Sequence, residues 1–214
     1  MDERASGLIL RTRPLTETSL IVQWLTPELG RIATVAKGAR RPKSPFRGKL
    51  DLFYEADFSF ARSRKSDLHN LREVALRDTH AKLRESLGWI QQASYFTALV
   101  EQTTETETPL PKVFQLVQEC LARLPREPPR PRTVFAFELK LLAELGFSPD
   151  INESSLGAGA RQIAKALTHT GWDGISRLKL SDTQTRELRQ FLHGFMIYHL
   201  ERIPPSRTAA LNAG

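Results

Sequence analysis

Among its 214 residues the sequence has one cysteine, Cys120, which excludes an internal disulfide framework and any multi-cysteine zinc or iron–sulfur site. A reducing compartment is the expectation. Long apolar runs are also missing. The chain begins Met1-Asp2-Glu3-Arg4 with no apolar signal core, and no stretch approaches the roughly 18 uncharged apolar residues of a membrane span. A soluble, cytoplasmic protein with no membrane partner is therefore expected. No phosphate-binding P-loop is present: Gly48-Lys49 is followed by Leu50 where a hydroxyl must reach magnesium, and Lys43 stands where the first glycine belongs. The histidines, His69, His80, His169, His193 and His199, include no i, i+4 pair and no His-Glu-x-x-His, so each is expected to be structural or solvated. Cys120 falls in an apolar helical stripe and reads as core. The carboxylates are scattered and mostly on expected solvent faces. No catalytic residue, metal ligand or cofactor is assigned, and the protein is expected not to be an enzyme.

What is present is charge of one sign, concentrated. The formal net charge is +7, the pI about 9.8, with 40% hydrophobic and 26% charged residues. That composition suffices for a real core in one or two domains, and it suggests an anionic partner. Residues 1 to 80 hold 15 Lys and Arg against 10 Asp and Glu, a net of +5; residues 81 to 214 hold 16 against 14, a net of +2. Within the first third, Lys37 to Lys49 places six cations in thirteen residues with no acid: Lys37, Arg40, Arg41, Lys43, Arg47 and Lys49.

Patterning on either side of that run has a period of two. Leu20, Val22 and Trp24 alternate with Ile21, Gln23 and Leu25 and stop at Thr26-Pro27; Leu29-Gly30 turns the chain into Arg31 to Lys37. Over 52 to 61, Leu52, Tyr54, Ala56, Phe58 and Phe60 fall on one face and Phe53, Glu55, Asp57, Ser59 and Ala61 on the other. With Ala5 to Arg13 and Leu68 to Arg77 this makes about five strands, enough for a small closed or nearly closed barrel. The basic run then becomes a loop between the third and fourth strands. Past residue 80 the period changes to 3.6. Trp89, Ala93, Phe96 and Val100 form one stripe; Val113, Leu116, Val117 and Leu121 a second; Phe135, Leu139 and Leu142 a third, stopped by Gly146. Ser181 to Gln184 has capping-box spacing, and Leu188, Phe191, Leu192, Phe195 and His199 share a face before Pro204-Pro205. The reading is an α+β chain of two domains: a β domain at 1–80, a helical domain at 81–205 and a polar tail at 206–214.

A barrel with a cation-rich loop has a direct physical use, because Lys and Arg neutralise phosphates and release condensed counterions. Arg40 and Arg41 are suited to forking onto phosphate oxygens, Lys37 and Lys43 to acting as point charges, and Gly38 and Gly48 to close backbone approach. Phe46 has two readings, stacking a base or packing the loop onto the barrel. Arg62, Arg64 and Lys65 in the next turn extend the patch.

Several segments in order resemble the RecO family of bacterial recombination mediators. They are Leu8-Ile9-Leu10-Arg11 with its following Pro-Leu-Thr-Glu-Thr, Ser19 to Val22, and above all Leu29-Gly30-Arg31 leading to Val35-Ala36-Lys37-Gly38-Ala39-Arg40-Arg41. Leu50 to Phe53, Leu68 to Glu73 and Phe137 to Pro149 match in kind. The resemblance implies an OB-fold barrel followed by an all-helical domain. It also implies binding of single- and double-stranded DNA, annealing of strands coated by single-strand-binding protein, and work with RecR to load RecA. The phosphate-binding role carries over onto Lys37, Arg40 and Arg41; Lys43, Arg47 and Lys49 extend it by charge. Many members have a four-cysteine zinc knob after the Leu-Gly-Phe-x-Pro helix end, whereas Ile151 to Ala160 holds no cysteine. A metal-free chain without the knob is expected. In the family the helical domain engages the acidic tail of the single-strand-binding protein, and Arg123, Arg126, Arg130 and Arg132 are candidate cations for it. Two other readings stand beside this one: a non-catalytic protein-interaction scaffold, and an RNA-binding OB module.

Overall fold

A computed structural model of the chain describes residues 2–214. The alternating first third forms β1 (Asp2–Pro14), β2 (Leu20–Thr26), β3 (Gly30–Ala36), β4 (Glu55–Ala61) and β5 (Leu68–Asp78), closed into a barrel in the order β1-β2-β3-β5-β4. All neighbours are antiparallel except β3 and β5, which pair in parallel over only Ala33–Leu68 to Val35–Asn70. This five-stranded closure is the expected OB-fold barrel. Ile9, Val22, Trp24, Ile32, Phe58, Phe60, Leu71 and Val74 fill the interior. Trp24 stacks on Phe58 at 4.1 Å, and its indole N–H donates to the Thr34 hydroxyl at 2.9 Å, so the one polar atom of the largest core side chain is satisfied.

β4 begins three residues later than the alternation from Leu52 indicates. Phe53 takes φ 68° and is buried, while Leu52 and Tyr54 are half-buried, the reverse of the expected faces. A left-handed residue breaks the period-two register. Its amide still donates to Ile9 O at 3.0 Å and the Ile9 amide to Tyr54 O at 2.9 Å, so the turn is paired to β1 before the regular ladder starts.

The remaining chain forms α1 (Leu87–Thr103), α2 (Pro111–Arg123), α3 (Pro131–Glu144), α4 (Ala158–His169), α5 (Trp172–Ile175), α6 (Asp182–Leu200) and α7 (Arg207–Leu211). Contacts divide the molecule into two compact units that interleave along the chain: Met1–Lys82 with Thr103–Leu121, and Leu83–Gln102 with Ala122–Gly214. The change of period near residue 80 does not reveal that Thr103–Leu121 goes with the strands. The reason is local. Gly30, at φ 65°, lets Thr108 lie so close that a Cβ there would meet the Thr108 carbonyl oxygen at 1.9 Å. The Glu107 amide donates to Arg31 O at 2.8 Å, the Arg31 guanidinium to Thr104 O, and Gln118 of α2 to Glu55 at 2.8 Å.

In the second unit α3 is buried from Thr133 through Leu139, as a helix apolar on nearly every side must be, and it packs against α4, α6 and α7. Phe96 of α1 stacks on Phe137 at 4.1 Å. The α6 capping box forms as the spacing predicts, with the Gln184 amide donating to Ser181 Oγ and the Ser181 amide to Gln184 Oε1. On α6 it is Leu188, Leu192 and Met196 that are buried, whereas His199 is exposed.

Residues expected as a polar tail form α7 instead, with Arg207, Ala210 and Leu211 buried. The Arg207 guanidinium donates twice to Glu138, at 2.7 and 3.0 Å, and the Tyr95 hydroxyl donates to the same carboxylate at 2.6 Å. Burial and the adjacent Glu138 carboxylate push the Tyr95 hydroxyl well above its usual range, so it stays a donor. The cysteine-free segment after α3 is anchored by buried Ile151 and Leu156, and Arg161 donates to Leu156 O at 2.8 Å.

Candidate nucleic-acid interface

The basic run leaves β3 at Ala36 and stays ordered by its own backbone. The amides of Ala39, Arg41, Ser44, Arg47 and Lys49 each donate three residues back, to Ala36, Gly38, Arg41, Ser44 and Phe46. Two of these turns, Ala36–Ala39 and Phe46–Lys49, have a left-handed residue at the third position, and Gly38 (φ 67°) and Gly48 (φ 72°) supply it. The Arg40 amide donates to Thr18 O at 2.9 Å, which fastens the loop to the β1–β2 connection.

Phe46 settles between its two readings: it is 7% exposed and belongs to the barrel's interior cluster. It anchors the loop and is not available to stack a base. With the aromatic turned inward, Lys37, Arg40, Arg41, Lys43 and Arg47 remain exposed. Arg40, Arg41 and Arg47 line a cavity of about 380 Å³ against Pro42 and Phe46. Lys49 is half-buried and donates to Val74 O at 3.1 Å. The ordering matters energetically, because cations held on a fixed backbone lose less conformational entropy when they meet phosphates.

The other candidate cations separate into different environments. Arg64 and Lys65 are exposed in the β4–β5 turn. Arg62, beside them in sequence, is engaged: it pairs with Glu3 at 2.7 and 3.1 Å and with Glu107 at 2.7 Å. Its hydrogen bonds hold the Glu3 carboxyl below the usual range. Glu107 also accepts from His69, whose Nδ1 accepts the Ser63 amide and so leaves the proton on Nε2. Arg62 thus closes a structural clasp, with its charge already balanced. In the helical unit Arg123 pairs with Asp173 and Arg132 with Glu127, their side chains 15% and 17% exposed; Arg126 and Arg130 are exposed. The four arginines do not form one open array.

The exposed cations that the sequence did not single out include Arg13 at the end of β1, and Arg4 and Arg72 on the barrel wall. Arg13 pairs in register with Ile21, close to the Thr18 to which the loop is tied. Its only signal was its place in the alternation of β1. Among the described residues no helix is long and apolar enough to cross a membrane, and no three His, Cys, Asp or Glu side chains gather as metal ligands do.

An OB barrel that carries an ordered cationic loop and continues into helices defines a class of two-part α+β proteins. Comparison with known proteins narrows the class. The recombination protein O N-terminal model matches residues 1–80, and the recombination protein O C-terminal model matches residues 90–161. The DNA repair protein RecO of Exiguobacterium sibiricum is 27% identical over 209 residues, covering 95% of this chain and 82% of that protein. The RecO of Rhodopirellula baltica is 33% identical over 67% of this chain and 53% of its own length; that of Actinobacillus pleuropneumoniae is 30% identical over 76% and 66%. The chain belongs to the RecO family, and its role lies in DNA repair and recombination. It spans between 53% and 82% of the length of these relatives.

Proposed function

We propose that the chain is a non-catalytic, cytoplasmic mediator that binds single- and double-stranded DNA through the β3–β4 loop. On this reading it anneals complementary strands coated by single-strand-binding protein, and works with RecR to promote loading of RecA. The observation that carries it is the ordered display of Lys37, Arg40, Arg41, Lys43 and Arg47 on a loop anchored inward by Phe46. Neutralising the phosphates of two strands lowers the repulsion that opposes their pairing, and this requires no covalent chemistry. Lys49, Arg64 and Lys65 add to the field, and Arg62 contributes to barrel structure. For the acidic tail of the single-strand-binding protein, exposed Arg126 and Arg130 are the assigned cations, with Arg123 and Arg132 holding the segment that presents them.

Fluorescence anisotropy with labelled DNA across a salt series tests the loop. The wild type is expected to show log affinity falling linearly with log salt. Arg40→Ala with Arg41→Ala should flatten that slope by roughly 1.4 to 1.8, at about 0.7 to 0.9 per phosphate contact. An unchanged slope and affinity in the double variant refutes the assignment.

A further inference from the structure

β5 runs eight residues beyond its last pairing with β3 at Asn70, so from Leu71 onward the two strands share no ladder, which leaves an opening in the otherwise closed barrel. The basic loop closes the inner side of that opening, with Phe46 in the barrel interior and Lys49 Nζ on the Val74 carbonyl. Outside it lies a groove of about 820 Å³, within the range of small-ligand sites. Phe46 forms a wall both of this groove and of the 380 Å³ cavity that holds Arg40, Arg41 and Arg47. The two spaces are neighbours across one aromatic side chain.

Their chemistry differs. The cavity offers cations alone, which suits phosphate. The groove has an open apolar rim from Ala5, Pro45 and Ala75 around the buried edges of Phe46, Phe58 and Val74, and a polar row in which Arg4 pairs across to Ser59 and Ser59 to Glu73. That row sets a guanidinium donor, a hydroxyl that both donates and accepts, and a carboxylate acceptor side by side. A second row runs Ser6, Asp57, Ala75; there Asp57 is occupied by the Ser6 hydroxyl at 2.5 Å and by Arg77 at 2.8 Å. With Glu28, Asp57 and Glu73 set among Arg4, Lys49 and Arg72, the groove has no surplus of cations to offer a bare phosphate. A flat heteroaromatic ring whose edge carries both donors and acceptors satisfies the Arg4, Ser59, Glu73 row and covers the apolar rim.

We propose that this groove is a nucleobase subsite, taking an unstacked base of the strand whose phosphates the loop holds. The inference rests on the proposed phosphate role of the loop and adds a preference that charge alone cannot supply. A base enters only when it is free of its duplex partner, so the site selects single strands over duplex.

The test compares an oligothymidylate, an abasic strand of equal length and a duplex, all labelled, by anisotropy at one salt concentration. The wild type should bind the oligothymidylate roughly tenfold more tightly than the abasic strand, since one base contact supplies a factor of this order. Ala75→Leu, an exposed position on the groove wall, adds uncharged bulk and should erase that difference while leaving affinity for the abasic strand and the salt slope unchanged. Equal wild-type affinity for the oligothymidylate and the abasic strand overturns the subsite with no variant needed, and so does an Ala75→Leu protein that keeps the preference. Failure of the wild type to bind any of the strands would instead overturn the phosphate role of the loop, which keeps the two failures distinct.

Discussion

Replacing Arg207 with Met should strongly destabilise the chain, although the position lies within eight residues of the last one. Glu138 is fully buried and the Arg207 side chain is 7% exposed. Two guanidinium bonds and the Tyr95 hydroxyl together satisfy one carboxylate inside the helical core. Removing the cation leaves that carboxylate without its counter-charge, and losing one partner of such a pair costs about 3–5 kcal/mol. For a chain of this length each kcal/mol moves the melting temperature by about 2–4 °C, so a drop of roughly 6–20 °C is expected. Circular dichroism melts of wild type, Arg207→Met, and a triple variant with Glu138→Met and Tyr95→Phe measure it. The triple variant should recover most of the loss, because an apolar set of similar volume buries no unpaired charge. Ending the chain at Ser206 should cost at least as much, because the buried Ala210 and Leu211 are lost with Arg207. An Arg207→Met protein that melts within about 2 °C of wild type would refute the reasoning, since it would mean that the buried pair carries little net energy.

Gly30→Ala should cost more than about 1–2 kcal/mol, the usual penalty of a left-handed alanine, because the new Cβ also lands 1.9 Å from the Thr108 carbonyl oxygen; hydrogen exchange at the Glu107 amide should rise with it. Phe46→Ala should cost about 3 kcal/mol in urea unfolding, whereas Arg41→Ala on the same loop stays within about 0.5 kcal/mol, which separates the loop's anchor from its displayed cations. Hydrogen bonds from Ser6 and then Arg77 lower the Asp57 pKa, and Arg62 lowers that of Glu3. Carboxyls depressed in the folded state contribute stability above their unfolded value near 4 that is lost as pH falls through the folded value. Acid titration of stability should therefore be shallower below about pH 4 for Asp57→Asn than for wild type, with no difference in slope above pH 6.

The barrel and its loop were legible because their determinants are local. Alternation in β2, the Leu29-Gly30 turn and the Ser181–Gln184 cap each depend on residues within a few positions, and each appears where the pattern puts it. What stayed hidden depends on pairings distant in sequence. Arg62 looked like a third cation of a turn, yet its partners Glu3 and Glu107 lie 59 and 45 positions away, and no local pattern encodes them. Arg207 made the last residues look polar until Glu138, 69 positions earlier, accepted it in the core. Phe53 shows a local failure: one left-handed residue inverts an alternation that otherwise continues from Leu52 to Phe60. Parallel pairing of β3 with β5, which leaves the groove open, follows from barrel closure and from nothing in either strand alone.

The central claim is that the β3–β4 loop carries strand annealing by neutralising phosphates. Its most direct measurement is the annealing rate of complementary strands coated with single-strand-binding protein, for wild type and for the Arg40→Ala, Arg41→Ala double variant, with folding of both verified by melting. Acceleration by wild type that falls to near the uncatalysed rate in the double variant is the predicted result. Equal acceleration by the two proteins would contradict it.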